Sequence, residues 1–332
     1  MDDKAKTYTR EVPASKKRRW RSDNLDRERR RDSEIRIERD GLRGYYAVDH
    51  ASFQQKLHRG STQMSSIKTI FGTFSAGSKK RLDLTFDYET CAIRSFKRIA
   101  KQLSASCFVD IGSNIGVYSI YLSDLTCIKE IHAFEPAPES YRMLAENVSL
   151  QENPAQIKVH QVALSAEEGE VNFHIVSPTS GANGIVEAAG DGTMVVQAKK
   201  LDTYLLVTGT VAVLKIDVEG HEVSAISGAK DFLTRNKCYL QIESLRPDLV
   251  SEIKKMLSAL GYVYVFSLQN DHLFLHADLC ESRQAIMEII AEDLAKDLHD
   301  LTQLRLEKRS LAREARQLFQ NAGYARDPLL IK

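Results

Sequence analysis

The chain has 332 residues, 43% of them apolar, and a formal net charge of +1. That is ample apolar material for one large core or two small ones, and too little net charge for the whole chain to demand an anionic partner. No run of eighteen apolar residues and no apolar leader is found, so neither a membrane span nor secretion is expected; five scattered cysteines (Cys91, Cys107, Cys127, Cys238, Cys280) without C-x-x-C spacing argue against a disulfide framework and fit a reducing cytoplasm.

Residues 1–40 cannot build a core. Lys16, Lys17, Arg18, Arg19, Arg21, Arg27, Arg29, Arg30 and Arg31 are interleaved with Asp23, Asp26, Glu28, Asp32 and Glu34. The composition predicts a solvated arm or a charged helix; the sharper alternative is an arm that touches phosphate, a second subunit or an anionic membrane face, with Trp20 inside its basic run. Residues 41–90 read as a lid and strand-pair segment. Tyr45, Tyr46, His50, Phe53 and His58 are candidate acceptor contacts, and 67–74 with 82–86 read as two strands joined by the turn at 75–78. A helix is expected over 91–103.

The most informative stretch is Phe108-Val109-Asp110-Ile111-Gly112-Ser113-Asn114-Ile115-Gly116. An apolar run ends in an acid and opens into a turn whose two glycines admit close backbone approach, and 115–125 carries helical apolar spacing: a strand, a turn and a helix. Ligands of open α/β sheets bind at the carboxyl ends of strands, where Asp110 sits. A second apolar strand, 128–134, ends in Glu135-Pro136, and a carboxylate there can accept hydrogen bonds from both ribose hydroxyls of an adenosine. G-x-G-x-x-G is absent, so the nucleoside need not carry a pyrophosphate. A helix over 138–150 and a third strand over 157–164 complete an alternation that requires a doubly wound, mostly parallel α/β sheet.

An added strand over 170–176 leads to a turn-rich stretch, 177–193, read as a flap or a surface hairpin, and then to 194–198 and 201–204. The fourth core strand, 211–217, ends in Asp217, followed at once by Glu219, Gly220, His221 and Glu222. Its end adjoins that of the first strand, so Asp110, Glu135 and this cluster should meet. His221 has the intrinsic pKa of a general base, which a neighbouring carboxylate would raise; Asp217 and Glu219 are alternatives, and capping or packing is the plain reading of His221. Asp217, Glu219 and His221 could also hold a divalent cation, but one short cluster is weak support and no metal is expected. A fifth strand over 239–243 closes on Glu243, followed by a helix over 247–260, a hairpin (262–267 with 272–276) and a long amphipathic helix over 281–319 that packs on the domain or on a second subunit as a homodimer.

Asp110-Ile-Gly112-Ser-Asn114-Ile-Gly116, then Phe134-Glu135-Pro136, then Val162-Ala163-Leu164-Ser165 ahead of Gly169-Glu170-Val171, then Lys215-Ile-Asp217-Val-Glu219-Gly220-His221-Glu222, in that order and spacing, resembles the FkbM family of methyltransferases. The resemblance covers about residues 90–245. It implies a Rossmann-like class I methyltransferase fold with a seven-stranded sheet over 91–278, flanked by the N-terminal extension and by C-terminal helices over 279–332. It also implies S-adenosyl-L-methionine as donor, held by Asp110, Gly112, Ser113, Asn114, Gly116, Glu135, Pro136, the backbone of Ala163, and Asp217. Catalytic candidates are then His221, Asp217, Glu219 and Glu243, the last facing the same pocket. The implied reaction is O-methylation of a sugar, a glycan or glycolipid precursor, or a secondary metabolite. An RNA ribose 2′-O-methyltransferase using the basic arm, or a non-catalytic nucleoside-binding scaffold, are the alternatives; for the former a Lys-Asp-Lys-Glu set is wanted, and a pair of lysines could not be placed from sequence.

Overall fold

A computed structural model describes residues 66–79, 81–82, 90–177 and 179–321. The basic arm, Trp20, the aromatic and histidine segment at 41–63, and most of the strand expected at 82–86 lie outside the described residues.

The chain first forms a hairpin of β1 (Ser66–Thr69) and β2 (Gly72–Ser75), paired antiparallel. The strand pair therefore lies wholly within 66–75, and the reversal falls at 70–71 instead of 75–78. Thr69 explains this: its Oγ1 accepts from the Phe71 amide (3.0 Å) and donates to the Gly72 carbonyl (3.1 Å), while Gly72 takes a φ of +134° that only glycine adopts at little cost. Residues 76–78 form a short 3-10 turn.

Helix α1 (Thr90–Gln102) buries Ile93, Phe96, Ile99 and Ala100 along one stripe. Then β3 (Cys107–Ile111), α2 (Val117–Leu122), β4 (Glu130–Phe134), α3 (Pro138–Ser149) and β5 (Ile157–His160) alternate as expected. The third strand differs from expectation. The core sheet keeps only 157–160; after Gln161-Val162 the chain leaves it, and β6 (Ala163–Leu164) joins a second sheet with β7 (Gly169–His174), β8 (Gly184–Val186) and β9 (Thr193–Lys199), in the order β6-β9-β7-β8. β8 lies inside the stretch read as a loop, where it pairs with β7; Ile185 and Phe173, opposite each other, pack into the small core under this sheet. After α4 (Leu201–Tyr204) come β10 (Val211–Ile216), α5 (Glu222–Ser227), α6 (Lys230–Arg235), β11 (Lys237–Glu243), α7 (Pro247–Ala259), β12 (Tyr262–Leu268), β13 (Asp271–His276) and α8 (Arg283–Asn321).

The core sheet has seven strands in the order β12-β13-β11-β10-β3-β4-β5, all parallel except β13, which runs antiparallel between β11 and β12. From β3 the order runs one way to β4 and β5 and the other way to β10 and β11. The crevice above β3 and β10 is thus the topological switch point where such folds bind ligands. Alternate strand residues feed two cores: Phe108, Ile131, Val213 and Tyr239 meet α1, α2, α3 and the first turns of α8, while Val109, Ile111, Leu214 and Leu240 meet α5, α6 and α7. Ile286, Ile289 and Ile290 of α8 belong to the first core, and Asp293 accepts from Arg94 (3.2 Å) and Ser95 (3.0 Å), so this helix begins as part of the domain. A boundary between compact units falls within α8, between His299 and Asp300; everything described below belongs to the unit ending at His299. Among the described residues no helix is long and apolar enough to cross a membrane.

Candidate active site

Period-two geometry puts Asp110, Lys215 and Gln241 in one row on one face, because Lys215 sits beside Asp110 on β3 and beside Gln241 on β11. Helix α2 roofs the row. Ser119 Oγ donates to Asp110 Oδ2 at 2.6 Å, and Gln241 Nε2 donates to the Tyr118 hydroxyl at 2.9 Å. Asp110 is thereby fixed while buried at the cleft floor.

The loop after β3 is bent onto two neighbours. The amides of Gly112 and Ser113 both donate to the Phe134 carbonyl at 3.0 Å, and Gly112, at φ +82°, brings its Cα so close to the loop after β10 that a Cβ would stand 1.8 Å from the Asp217 carbonyl oxygen. Gly116 serves differently. At φ +87° it precedes α2 and packs against Leu144, where a Cβ would stand 2.5 Å from Cδ1, and it does not line the cleft.

Glu135 is buried, yet both its oxygens are gripped by backbone: Oε2 accepts from the Asn114 amide at 2.9 Å and Oε1 from the Ala137 amide at 2.8 Å. Burial raises its pKa to about 7, against the lowering effect of the two amides and of Arg81, while Asp110 adds to the rise. Each oxygen keeps a second acceptor direction for a ligand hydroxyl. Nearby, Ser113 Oγ and Asn114 Oδ1 are buried without a hydrogen-bond partner. Unpartnered buried polar atoms beside an ionisable carboxylate are what a ribose with a polar tail would satisfy. The pKa predicts a pH dependence: if ribose hydroxyls donate to the ionised carboxylate, donor affinity rises between about pH 6 and 8 and then levels, and Glu135→Gln flattens the profile. A titration series read by calorimetry checks this. The folded value also lies above the ordinary 4.5, so this group's ionisation costs folding free energy as pH rises from about 4.5 to about 7, and the cost is level above that.

Asp217, Pro136, Ala163 and His221 line the same cleft, as do Ser113 and Asn114. His221 Nε2 lies 3.0 Å from Ser165 Oγ, on the loop after β6, and burial pushes its pKa down. Glu219 does not line the cleft. It adopts φ +51° ahead of Gly220 at +100°, and burial, then Glu243 and Glu222, raise its pKa. Glu222 Oε1 accepts from the Gly220 amide at 2.7 Å and so holds this turn. Glu243 is not among the residues that line the cleft and is paired with Lys215 at 3.3 Å.

Lys215 is the residue that sequence reading missed. It lines the cleft, is 2% exposed, and its ammonium also meets Asp271 at 2.8 Å. Burial alone would lower its pKa; Asp271, Tyr118, Asp217 and Glu243 outweigh that and hold it well above the ordinary lysine value. The signal was present in V-A-V-L-K-I-D, a lysine two residues before Asp217 and so on the same strand face. Its partner Asp271 lies 56 positions away and carries no local sign of the pairing. Among the described residues no group of three potential ligands stands close enough to hold a metal ion.

Residues 110–264 match a family model described as the methyltransferase FkbM domain. Over 127 residues the chain is 32% identical to hexuronic acid methyltransferase AglP of Haloferax volcanii, which covers 37% of this chain and 50% of that protein. Over 89 residues it is 33% identical to methyltransferase sdnD of Sordaria araneosa, covering 27% of this chain and 34% of that one. The chain thus spans half the length of the first relative and about a third of the second. A crystal structure of methyltransferase FkbM from Methylobacillus flagellatus KT is 18% identical over 52% of this chain and 44% of its own, with a TM-score of 0.40.

Proposed function

We propose that the chain, whose residues 110–264 match the methyltransferase FkbM domain, moves a methyl group from S-adenosyl-L-methionine to a hydroxyl of a sugar or secondary metabolite. The observation that carries this reading is the Glu135 carboxylate, gripped by two amides beside Asp110 and beside the unpartnered Ser113 Oγ and Asn114 Oδ1. Glu135 would take the ribose hydroxyls. Asp110, Ser113 and Asn114 would take the amino-acid end, and the backbone of Ala163 with Pro136 the base. The donor, when bound, supplies a methyl group on a sulfonium that departs as a neutral thioether.

What remains for the protein is to orient the acceptor and take its hydroxyl proton. Of His221, Asp217, Glu219 and Glu243, we assign that proton to Asp217. Asp217 and His221 line the cleft and Glu219 and Glu243 do not, and burial makes His221 less basic. Lys215 faces Asp217 with a fixed positive charge and cannot itself serve as base while protonated. Asp217→Asn is therefore expected to reduce turnover by about 10²–10⁴-fold, the usual range for a general base, while His221→Ala stays within an order of magnitude of the parent. Equal losses in single-turnover assays of the two variants would move the proton to His221.

Support for a sugar acceptor comes from the relative named for hexuronic acid. Labelled-methyl transfer across nucleotide sugars, uronates and oligosaccharides tests it. Tight donor binding with no transfer to any acceptor would favour the scaffold alternative, and transfer to RNA ribose would favour the other.

A further inference from the structure

The turn that carries Ser113 and Asn114 does not keep its shape unaided. Asn114 takes a φ of +48°, a left-handed conformation that persists in a residue other than glycine only when its surroundings impose it. The Phe134 carbonyl holds the Gly112 and Ser113 amides, the Glu135 carboxylate holds the Asn114 amide, and the Asn147 side chain holds the Ile115 carbonyl at 2.9 Å. The first of these holds is backbone, and the second comes from a carboxylate assigned to the ligand. The third comes from the last turn of α3, and Asn147 does not line the cleft.

Asn147 is fully buried, and both ends of its amide are engaged. Oδ1 accepts from the Ser75 amide at 2.8 Å, Nδ2 donates to the Ile115 carbonyl, and Ser78 Oγ stands across the end of the amide, 3.1 Å from Oδ1 and 3.0 Å from Nδ2. A backbone N–H on one side and a backbone carbonyl on the other leave the amide one orientation. Ser75 ends β2 and Ser78 closes the turn after it, both outside the matched residues 110–264. Four residues past Asn147, Gln151 Nε2 donates to the Thr73 carbonyl at 2.6 Å, and Phe71 meets Tyr121 of α2 edge to face, ring centroids 5.1 Å apart. The hairpin is thus docked on α2 and α3, and one side chain joins it to the turn at 113–116. Ile115 is 1% exposed, so a carbonyl deprived of Nδ2 is satisfied only if the turn moves, and Ser113 and Asn114 move with it.

We propose that Asn147 is a positioning residue for the donor site: braced by the hairpin, it sets the turn at 113–116 in the conformation that receives the methyl donor. The proposal rests on the methyl-transfer reading above. By linkage, a donor bound at the turn in its turn stabilises the hairpin end of the network.

Asn147→Asp keeps the acceptor for the Ser75 amide and removes the donor to Ile115. Gly72→Ala is the control. Its Cβ would stand 2.5 Å from Ile120 Cγ2 and its φ of +134° is costly for alanine, so it strains the hairpin against α2 and leaves Asn147 in place. Both variants are melted and titrated calorimetrically with S-adenosylhomocysteine, and exchange of the Ser75 amide is followed with and without that compound. Asn147→Asp is expected to lose tenfold or more in affinity, whereas Gly72→Ala melts lower than the parent and keeps parental affinity. Saturating S-adenosylhomocysteine slows Ser75 exchange in the parent and not in Asn147→Asp. Parental affinity in Asn147→Asp, or equal losses of affinity in the two variants, reduces Asn147 to support of the fold and overturns the proposal. Should Asn147→Asp not fold, Ser78→Ala, which frees one end of the amide while leaving Asn147 in place, carries the test: a loss of threefold or more is expected, and parental affinity overturns the proposal. Parent protein that binds no S-adenosylhomocysteine sinks the methyl-donor reading itself, and the positioning role with it.

Discussion

Gly112→Ala is expected to abolish donor binding and to destabilise the fold. The added Cβ would lie 1.8 Å from the Asp217 carbonyl oxygen, a contact with backbone that no side-chain rotation relieves, and the φ of +82° is itself costly for alanine. Backbone strain of about 1–3 kcal/mol and overpacking of about 1–3 kcal/mol together suggest a loss of roughly 2–6 kcal/mol. The loops after β3 and β10 must part for the variant to fold at all, and they carry Ser113, Asn114 and Asp217. Gly190→Ala is the control: nothing stands within 4 Å of its Cβ position, and its stability should be unchanged. Urea denaturation and calorimetry on both variants check this. A Gly112→Ala protein as stable as the Gly190→Ala control, with parental donor affinity, would mean that the two loops do not touch as described.

Lys215→Ala is the second large effect expected. The ammonium is almost wholly buried between Asp271 and Glu243, so its removal leaves carboxylates facing one another without a counter-charge. Removing one partner of a buried pair typically costs about 3–5 kcal/mol. The loss should shrink in acid, where the orphaned carboxylates can protonate. The raised lysine value sets the other limit: in the parent, the stability it contributes is complete below pH 10.5 and is lost only as pH rises through the folded value. Lys215→Met fills the same volume but keeps the charge imbalance, and should recover little. Melting curves for the two variants at neutral and acid pH decide the matter, and equal stability of parent and Lys215→Ala would show the pairing to be incidental.

Much of the fold was legible because it rests on local signals. Core strands that reach the cleft are apolar runs closing on an acid, as in Asp110, Glu135 and Asp217, and the strands alternate with helices of clear apolar spacing. What escaped depends on partners distant in sequence. The apolar run 157–164 looks like one strand, but Ala163 pairs with Ala198 of another sheet, which nothing within the run announces. A loop-like stretch holds β8 because Ile185 finds Phe173 opposite it. The hairpin turn at 70–71 was overlooked because Ser75-Ala76-Gly77-Ser78 is the stronger turn signal by composition, whereas the Thr69 side chain makes the turn. For the site, strand ends indicated which carboxylates gather, but not which are engaged. The Ser165 hydroxyl at His221 and the Asp271 carboxylate at Lys215 are both 56 residues removed from their partners.

The most direct test is calorimetric titration of the purified chain with S-adenosyl-L-methionine and, separately, with NAD. Micromolar binding of the first with none of the second is the predicted result, since the loop after β3 offers Glu135, Ser113 and Asn114 to a nucleoside with a polar tail but lacks the third glycine of a pyrophosphate site. Binding of NAD, or of neither compound, would contradict the assignment of this cleft to a methyl donor.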